Sequence, residues 1–364
     1  MGKSKYYSLN DILTKNADYN LIIGERSNGK TYAVLKHCLE CFYNGGGAFA
    51  YVRRWHDDII GKRAETVFNA LLDNNEIYKI TGGTFSDIVY SRGRYYLANY
   101  DAEHKKMIAQ KTPCCYAFSL SDTEHDKSTS YPDINNVVFD EFITRRYYLP
   151  DEFILFMNTL STIIRDRNGV KIFMLGNTVN KYSPYFEEMG ITNIATMEQG
   201  AIDVYTYGES SLTVAVEYCA TSNTRKKSNK YFAFDNPKLN MITGGSWEIS
   251  IYPHLSAGQK IKDKDIIYSI YVIFNKKLLQ GDIVQNNDGL FLFFHNKTTP
   301  IKDPENSLIY SLDYTTAPNV RKSLLTGLTS IDKKIAWFFV ANKVFYQSNE
   351  IGEMIRNYNN LSSR

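Results

Sequence analysis

The residues with the clearest chemical meaning form one glycine-rich stretch. Gly24-x-x-x-x-Gly29-Lys30-Thr31 follows the apolar run Leu21 to Ile23 and precedes a helical pattern. Glycines let the backbone wrap closely around phosphates, and the start of the helix directs N–H groups at the anion. The lysine supplies a fixed positive charge, and the threonine hydroxyl is a ligand for Mg²⁺. The pattern therefore predicts an ATP-binding loop with these candidate residues: Gly24, Glu25, Arg26, Ser27, Asn28, Gly29, Lys30 and Thr31. The alternative, a glycine-rich turn before an ordinary amphipathic helix, is disfavoured by the order of strand, loop and helix.

A second motif supplies acids at the end of a predicted buried strand. Three consecutive apolar residues, Val137 to Phe139, are typical of a strand buried on both faces, and Asp140 and Glu141 follow them. We expect Asp140 to hold Mg²⁺ through water and Glu141 to polarise the attacking water. Two adjacent carboxylates at such a place cost free energy unless a cation or a reactant uses them. The motif favours ATPases that couple hydrolysis to mechanical work over small GTPases and simple kinases.

Polar side chains also end two other predicted strands. Arg53 and Arg54 follow the apolar segment 48–52, and Asn177 follows the segment 170–175. Ligands of open α/β sheets bind outside the carboxyl ends of the strands, so the arginines are candidates for phosphate binding. They are equally well explained as a solvated strand end. The amide of Asn177 is a candidate partner of the γ-phosphate or of the attacking water.

These residues need a sheet that brings strand ends together. Strands predicted at 48–52, 114–120, 134–140 and 170–175 alternate with helices at 31–43 and 150–164. This order predicts an α/β fold, a P-loop ATPase of the additional-strand, catalytic-glutamate (ASCE) type with a central, mostly parallel sheet. We assign residues 1–220 to this domain and 221–243 to a basic linker. Residues 244–364 form a smaller, mixed α+β domain.

One insertion interrupts this alternation. Short strands are predicted at 78–80, 88–90 and 95–97, with Arg92 and Arg94 in a turn between the last two. Basic residues among tyrosines suit a surface that tracks a nucleic-acid backbone, and they suit a solvated hairpin somewhat better.

Composition bounds the remaining possibilities. The chain has 364 residues, including 28 tyrosines and 20 phenylalanines, and a net charge of +3, which neither indicates nor excludes a nucleic-acid partner. No apolar run approaches the length of a membrane span, and the first residues lack the apolar core of a secretory signal. The five cysteines are therefore expected to be reduced thiols in a cytosolic protein. A metal site at Cys38 and Cys41 with His37 is disfavoured, because no second ligand pair has matching spacing.

Four parts of the chain share their pattern with a known family: Gly24 to Thr31, Tyr51-Val-Arg-Arg54, Tyr131-Pro132 ahead of Val138-Phe-Asp-Glu-Phe142, and Arg165-x-Arg167 followed by Asn177. Together they resemble the DNA-packaging ATPases of phi-twenty-nine-like podophages. The resemblance implies a homomeric ring, a pentamer in this family, on the portal (connector) of an empty procapsid. It implies ATP and Mg²⁺ as cofactors, double-stranded DNA as the cargo, and action in the host cytoplasm and transiently on the procapsid. Some members bind a structural RNA, and no membrane is involved.

The resemblance also assigns roles to individual residues. The family's arginine finger falls on Arg165, and a lysine that acts from the neighbouring subunit falls on Lys127. Arg53 and Arg54 would contact phosphates or switch with the nucleotide state. One departure is His56-Asp57-Asp58, which replaces a more basic stretch and moves the expected DNA contact to Lys62 and Arg63.

The carboxyl-terminal part of the family looks like a ribonuclease-H-type nuclease that has lost its acids. Such a nuclease needs carboxylates on its core strands to hold two metals. The predicted strand 267–274 has none, and we interpret Asp282, Asp288 and Asp313 as turn residues. Two alternatives stay open: a terminase-like ATPase with an active nuclease, and a nucleotide-binding scaffold or regulator without turnover. Glu141 argues against the second alternative.

Overall fold

Two units make up the chain in the computed structural model. Contacts between residues divide it into Met1–Glu248 and Ile249–Arg364. The structure describes residues 6–122, 130–144, 148–181, 183–208, 210–220, 252–256, 258–287, 289–327 and 329–362. The predicted linker, residues 221–243, lies outside the described residues, as do Lys127 and Asp288. The domain bounds 1–220 and 244–364 stay predictions.

The first unit alternates strands and helices. Its strands are β1 Tyr19–Gly24, β2 Ala48–Arg53, β3 Asp87–Ser91, β4 Arg94–Asp101, β5 Lys106–Ala109, β6 Cys115–Ser119, β7 Ile134–Asp140, β8 Lys171–Asn177, β9 Ile202–Tyr207 and β10 Leu212–Tyr218. Its helices are α1 Asn10–Leu13, α2 Lys30–Tyr43, α3 Gly61–Glu65, α4 Asn69–Asp73, α5 Glu76–Ile80, α6 Glu152–Ile164 and α7 Pro184–Glu188. The predicted α/β class is thus confirmed.

A single sheet joins all of these strands. Its order is β3-β4-β6-β2-β7-β8-β1-β10-β9, with β5 paired to β4. The six central strands, β6-β2-β7-β8-β1-β10, are parallel to one another. Antiparallel strands extend the sheet on both sides: β3, β4 and β5 on the side of β6, and β9 on the side of β10. Strand β8 lies between β1 and β7, so the strand that ends in the acids is separated from the P-loop strand by one additional strand. The parallel core aligns the carboxyl ends of β1, β2, β7 and β8 along one edge.

The central strands are buried on both faces because their apolar residues are continuous. In β1, Leu21 and Ile23 pack on one side of the sheet and Ile22 packs on the other. Helix α6 covers the first side with residues such as Phe156, and α2 covers the second with residues such as Val34. The sheet is therefore a rigid middle layer that fixes the strand ends.

One prediction in the inserted segment needs correction, and one is confirmed. Tyr78 to Ile80 is the end of helix α5 rather than a strand, because Ile77 is buried there and Lys79 pairs with Glu76 one turn earlier. Before this segment, residues 61–73 contribute two short helices, α3 and α4. The hairpin of β3 and β4 is present with Arg92 and Gly93, both at positive φ, in its turn.

The second unit is mixed α+β, as predicted. Its strands are β11 Ile266–Phe274, β12 Lys277–Asn286, β13 Gly289–Asn296, β14 Leu308–Tyr310, β15 Val320–Arg321 and β16 Val344–Tyr346, and its helices are α8 Ser330–Val340 and α9 Asn349–Ser362. The sheet order is β15-β14-β11-β12-β13-β16, with an antiparallel core of β11, β12 and β13. In the described part of the chain, no helix has both the length and the apolar character needed to cross a bilayer.

Candidate nucleotide-binding site

The glycine-rich loop joins β1 to α2 at the centre of the sheet edge. Gly29 has φ of 97° and Ser27 has φ of 59°, so the loop turns sharply into the helix through left-handed positions. Gly24 is required for another reason, since a Cβ there would lie 2.8 Å from Cβ of Cys219. The sequence therefore folds here into the strand, loop and helix expected of a phosphate cradle.

Lys30 lies inside this loop and is only 5% exposed. Its ammonium donates to the carbonyl oxygens of Gly24 and Glu25, at 3.3 and 2.8 Å. It also donates to Oδ1 of Asn28 at 3.1 Å and to Oδ1 of Asn177 at 3.3 Å. Burial lowers the pKa of Lys30, while nearby acidic groups oppose that effect. The lysine is thus held by the loop and by the end of β8, within reach of a phosphate placed in the loop.

Asp140 ends β7 and faces the start of α2. The Thr31 hydroxyl donates to its two oxygens, at 3.3 and 3.4 Å, and the Tyr51 hydroxyl donates to Oδ2 at 3.0 Å. Burial raises the pKa of Asp140, and neighbouring Glu141 adds to this effect while Arg53 opposes it. A hydroxyl and a carboxylate are oxygen ligands of the kind that Mg²⁺ prefers, so this pair fits the predicted ion. Sequence analysis assigned no role to Tyr51, whose buried hydroxyl orients the acid.

Glu141 is fixed from two sides by the arginine pair. Arg53 donates to its Oε2 at 2.7 Å, and Arg54 donates to its carbonyl oxygen at 3.1 Å. The φ of Glu141 is 62°, which is uncommon for a residue with a side chain and typical of strained functional positions. The carboxylate is therefore engaged by Arg53 rather than directed freely into the site.

Arg53 contacts several acids at once. It approaches Oδ2 of Asp140 at 3.6 Å and Oδ2 of Asp58 at 3.4 Å, besides its contact with Glu141. Burial on its own would lower the pKa of the guanidinium, but Tyr51, Asp140 and Glu141 raise it. The alternative of a solvated strand end is wrong for this residue.

The hydrogen-bond partners of Arg54 belong to the framework of the fold. It makes two hydrogen bonds to the buried carboxylate of Glu152, at 2.7 and 2.9 Å, and a third to the Phe142 carbonyl oxygen at 2.8 Å. Tyr185 donates to the same carboxylate at 2.8 Å. Arg54 is 6% exposed, so it too is no solvated strand end. It ties the end of β2 to the first turn of α6.

A cavity of about 560 Å³ lies at this edge of the sheet. It is lined by most of the predicted nucleotide-site residues: Arg26, Ser27, Asn28, Gly29, Lys30, Thr31, Arg54, Asp140, Glu141 and Asn177. Gly24 and Glu25 contribute carbonyl oxygens to Lys30 instead, and Arg53 reaches the site through the two acids. The strand ends thus bring a cation, a hydroxyl, two carboxylates and an amide together.

The Arg-x-Arg element lies away from this cavity. Arg165 caps the far end of α6, is exposed, and is not among the residues that line the cavity. Arg167 donates to the carbonyl oxygens of Pro132, Ile163 and Tyr131 and to Oδ1 of Asn135, at 2.8 to 3.2 Å. Arg167 therefore fastens the loop before β7 to the end of α6.

The basic residues considered for DNA contact are dispersed. Arg92 lies in the turn before β4, and Arg94 is the first residue of β4. Arg63 is exposed on α3 and pairs with Asp58 at 3.0 Å. The two groups of basic residues thus lie on different elements, and their contact with DNA stays a prediction.

In the second unit, Asp282 needs a correction. It lies in the middle of β12, is 3% exposed, and accepts hydrogen bonds from Ser269 and Gln280 and pairs with His295. It is a buried strand residue and not a turn residue. Asp313 does follow the end of β14. Among the described residues, no group of three or more histidines, cysteines and acids is placed to hold a metal ion.

Comparisons with known proteins agree on one family. Residues 1–228 match the sequence profile of the podovirus DNA encapsidation protein (Gp16). A DNA packaging protein of Bacillus phage PZA is 28% identical over 321 residues, which cover 86% of this chain and 84% of that protein. A DNA packaging protein of Bacillus phage phi29 is 28% identical over 189 residues, covering 51% and 50%.

Solved structures share the fold over nearly the whole chain. A chain of the bacteriophage Phi-29 viral genome packaging motor assembly has a TM-score of 0.58 at 20% identity, covering 98% of this chain and 100% of that chain. A chain of the Phi-28 gp11 DNA packaging motor has a TM-score of 0.55 at 18% identity, covering 99% and 98%.

Proposed function

Because this chain belongs to the podovirus DNA encapsidation protein family, we propose that it is an ATPase that drives double-stranded DNA into an empty procapsid. One observation carries the proposal. Lys30 and Thr31 at the start of α2, and Asp140 and Glu141 at the end of β7, meet at one cavity at the carboxyl edge of the parallel sheet. That set is the minimum for binding a nucleoside triphosphate and activating water against it.

Each residue has a separate task in this proposal. Lys30 leaves its carbonyl partners and binds the β- and γ-phosphate oxygens, while the N–H groups of the loop and of the start of α2 bind the phosphate chain. Thr31 and Asp140 would hold Mg²⁺, which neutralises charge on the phosphates when bound. Asn177 then loses Lys30 as a donor, and its amide is available to the γ-phosphate or to the water.

Glu141 is proposed to orient the attacking water. Its carboxylate is bound to Arg53 at 2.7 Å, so it must exchange this partner for water before hydrolysis. Arg53 would thereby keep the site inactive until nucleotide and DNA are both in place. The carbonyl of Glu141 stays fixed by Arg54, so only the side chain needs to move.

Hydrolysis is proposed to occur between subunits of a ring. Arg165 is exposed at the far end of α6 from the cavity, so it has a surface position from which to reach a neighbour's ATP. A planar, permanently charged donor suits phosphate oxygens. Lys127, which lies outside the described residues, is the second candidate to act from the neighbour. A pentamer follows from the family resemblance.

The proposed partners rest on the names of the relatives and on the family resemblance. DNA packaging proteins and a viral genome packaging motor assembly support viral DNA as the cargo. The resemblance adds that this DNA is double-stranded and that the portal (connector) of the procapsid is a partner. A structural RNA is a further proposed partner, since some family members bind one. The protein would then act in the host cytoplasm and transiently on the procapsid.

The two rival functions have less support. A scaffold without turnover would have no use for a strained, arginine-held Glu141 beside Asp140. For a nuclease, the buried Asp282 already shares its oxygens with Ser269, Gln280 and His295. We therefore do not extend the proposal to DNA cleavage.

The test is DNA-stimulated ATP hydrolysis by the full chain. Glu141→Gln should bind ATP normally and hydrolyse it at least about a hundredfold more slowly, because the amide keeps the shape and loses the charge that orients water. Lys30→Ala should lose ATP affinity instead. Glu188→Gln, an exposed acid on α7, is the matched control and should behave like the wild type. Turnover at the wild-type rate in Glu141→Gln would refute the catalytic assignment.

A further inference from the structure

The segment before α1 contacts the P-loop through Tyr7. The Tyr7 amide donates to the carbonyl oxygen of Asn28 at 3.0 Å. Its hydroxyl donates to Oε2 of Glu217 at 2.6 Å, across 210 residues of sequence. Glu217 lies on β10, directly beside Ile22 of β1, and is 8% exposed. One residue therefore connects the loop to the strand next to the P-loop strand.

The contact meets a specific requirement of the loop. A loop whose N–H groups converge on an anion turns its carbonyl oxygens outward, and these oxygens need other partners. For Asn28 that partner is the Tyr7 amide. Tyr6 also covers the outer side of the loop, since its Cβ would lie 3.5 Å from a Cβ placed on Gly29. This segment therefore supports the loop on the side opposite to the phosphates.

Asn28 passes this restraint on to Lys30. Its Oδ1 accepts from the backbone N–H of Lys30 at 3.2 Å and from the ammonium at 3.1 Å. A displacement of Asn28 would therefore displace both the first turn of α2 and the charge expected to bind phosphate. The chain of contacts runs from Glu217 through Tyr7 and Asn28 to Lys30.

We propose that Tyr7 and Glu217 are positioning residues that hold the P-loop in its phosphate-binding conformation. The inference rests on the proposed nucleotide binding at this loop. Neither residue lines the cavity, so each acts through Asn28 and not by touching ATP.

The support that Tyr7 and Glu217 give to the P-loop depends on pH, because the Glu217 carboxylate titrates. Burial raises the pKa of Glu217 to about 7, with Asp11 of α1 adding to the effect and the Tyr7 hydroxyl opposing it. Cys219, two residues farther along, is the other titratable group that acts on the pair. Above pH 7 the carboxylate is ionised and accepts a charge-assisted hydrogen bond, which is stronger than a neutral one. The net shift of this pKa is nevertheless upward, so the cost of burying the charge outweighs the stronger hydrogen bond, and we expect the support to be weaker at pH 8 than at pH 6.

Binding of a non-hydrolysable ATP analogue to the full chain tests the positioning role. Tyr7→Phe removes only the hydroxyl and should raise Kd about three- to tenfold, with kcat unchanged at saturating ATP. Tyr19→Phe is the control, because the described contact of its hydroxyl is a long one to Met157 and Tyr19 begins β1, at the end of the strand opposite the loop. Glu217→Ala should match Tyr7→Phe. Glu217→Gln should largely rescue binding, because its amide oxygen still accepts from Tyr7.

The pH profile separates positioning from general stability. The ratio of Kd in Glu217→Gln to Kd in the wild type should fall between pH 6 and pH 8, because only the wild type buries a charge at the higher pH and titration of ATP itself cancels in the ratio. Wild-type affinity in both Tyr7→Phe and Glu217→Ala would overturn the inference. Unchanged affinity in Lys30→Ala would overturn the proposed nucleotide site itself, so the two failures are distinguishable.

Discussion

Two adjacent arginines at the end of β2 have different partners and therefore different tasks. Arg54 binds the buried carboxylate of Glu152 with two hydrogen bonds, an arrangement that costs several kcal/mol to break because it leaves a buried charge unpaired. Arg53 binds Glu141, whose side chain is 54% exposed and can leave at a smaller cost. The first pair is thus a fixed anchor and the second is a contact that can open.

The exchange of Glu141 between Arg53 and water leads to a prediction for Arg53→Ala. Removing the guanidinium releases the carboxylate, so ATP turnover without DNA should rise about threefold or more. The affinity for ATP should change little, because Arg53 does not line the cavity. ATPase rates with and without DNA, together with Kd for ATP, measure both effects.

Arg63→Ala is the matched control for turnover without DNA and for the affinity for ATP, whereas its rate with DNA is not compared, because Arg63 is an expected DNA contact. Arg63 shares Asp58 with Arg53 but makes no described contact with Glu141. It should leave both quantities unchanged. A large loss of ATP affinity in Arg53→Ala would instead assign Arg53 to the phosphates.

At the scale of residues, the sequence predicts which side chains take part in the chemistry, but it does not predict which other residues hold those side chains in place. Lys30, Thr31, Asp140 and Asn177 follow from local patterns, since each ends a strand or begins a helix. The partner of Arg54 is 98 residues away, and Tyr7 and Glu217 are 210 residues apart. No local pattern signals such pairs. The contact of Tyr51 with Asp140 was not predicted, because in the sequence Tyr51 looks like one more apolar residue of a buried strand.

Helix α6 connects the two ends of the proposed mechanism. Its first residue, Glu152, is anchored to Arg54 beside the cavity, and Arg165 follows its last residue. Thirteen residues separate these ends, which is about 20 Å along a helix. The side chain of Arg165 is therefore projected from the end of an anchored rod and not from a free loop.

Substitutions of the two arginines of the Arg-x-Arg element should have different effects on the free energy of unfolding. Arg167→Ala removes hydrogen bonds to several backbone carbonyls and should lower the free energy of unfolding by about 1–3 kcal/mol. Arg165→Ala changes an exposed side chain and should alter it by less than about 0.5 kcal/mol. Urea unfolding of the full chain, followed by circular dichroism, gives both values. Equal losses in the two variants would contradict the structural assignment of Arg167.

At the scale of elements, continuous apolar runs predicted the parallel strands well. The failures have local causes. Tyr78 to Ile80 has strand-forming residue types, but tertiary packing of Ile77 makes the segment helical. Strand β12 was not predicted, since Gly281 and Asp282 look like a turn. The glycine is needed for a close approach instead, because a Cβ there would lie 2.7 Å from the ring of Phe294.

At the scale of the whole molecule, the proposed chemistry is incomplete in one copy of the chain. The cavity of the first unit holds candidates for the cation, the metal ligands and the base, whereas Arg165 lies outside it. A neighbouring copy in a ring would supply the missing arginine, which is a heterologous contact that a closed ring repeats at every interface. Activity should then depend on pairs of subunits.

Mixing two inactive variants tests this dependence directly. Arg165→Ala should bind ATP but lose turnover in the assembled state, by a factor of about 10³ or more if it acts as an arginine finger. Glu141→Gln loses turnover because it lacks the carboxylate that orients water, while its Arg165 is intact. In a random equal mixture, about a quarter of the interfaces join a wild-type Glu141 to a wild-type Arg165, given a ring of identical contacts. Turnover should therefore return to about a quarter of the wild-type rate. A mixture that forms rings and stays inactive would show that Arg165 does not act on its neighbour.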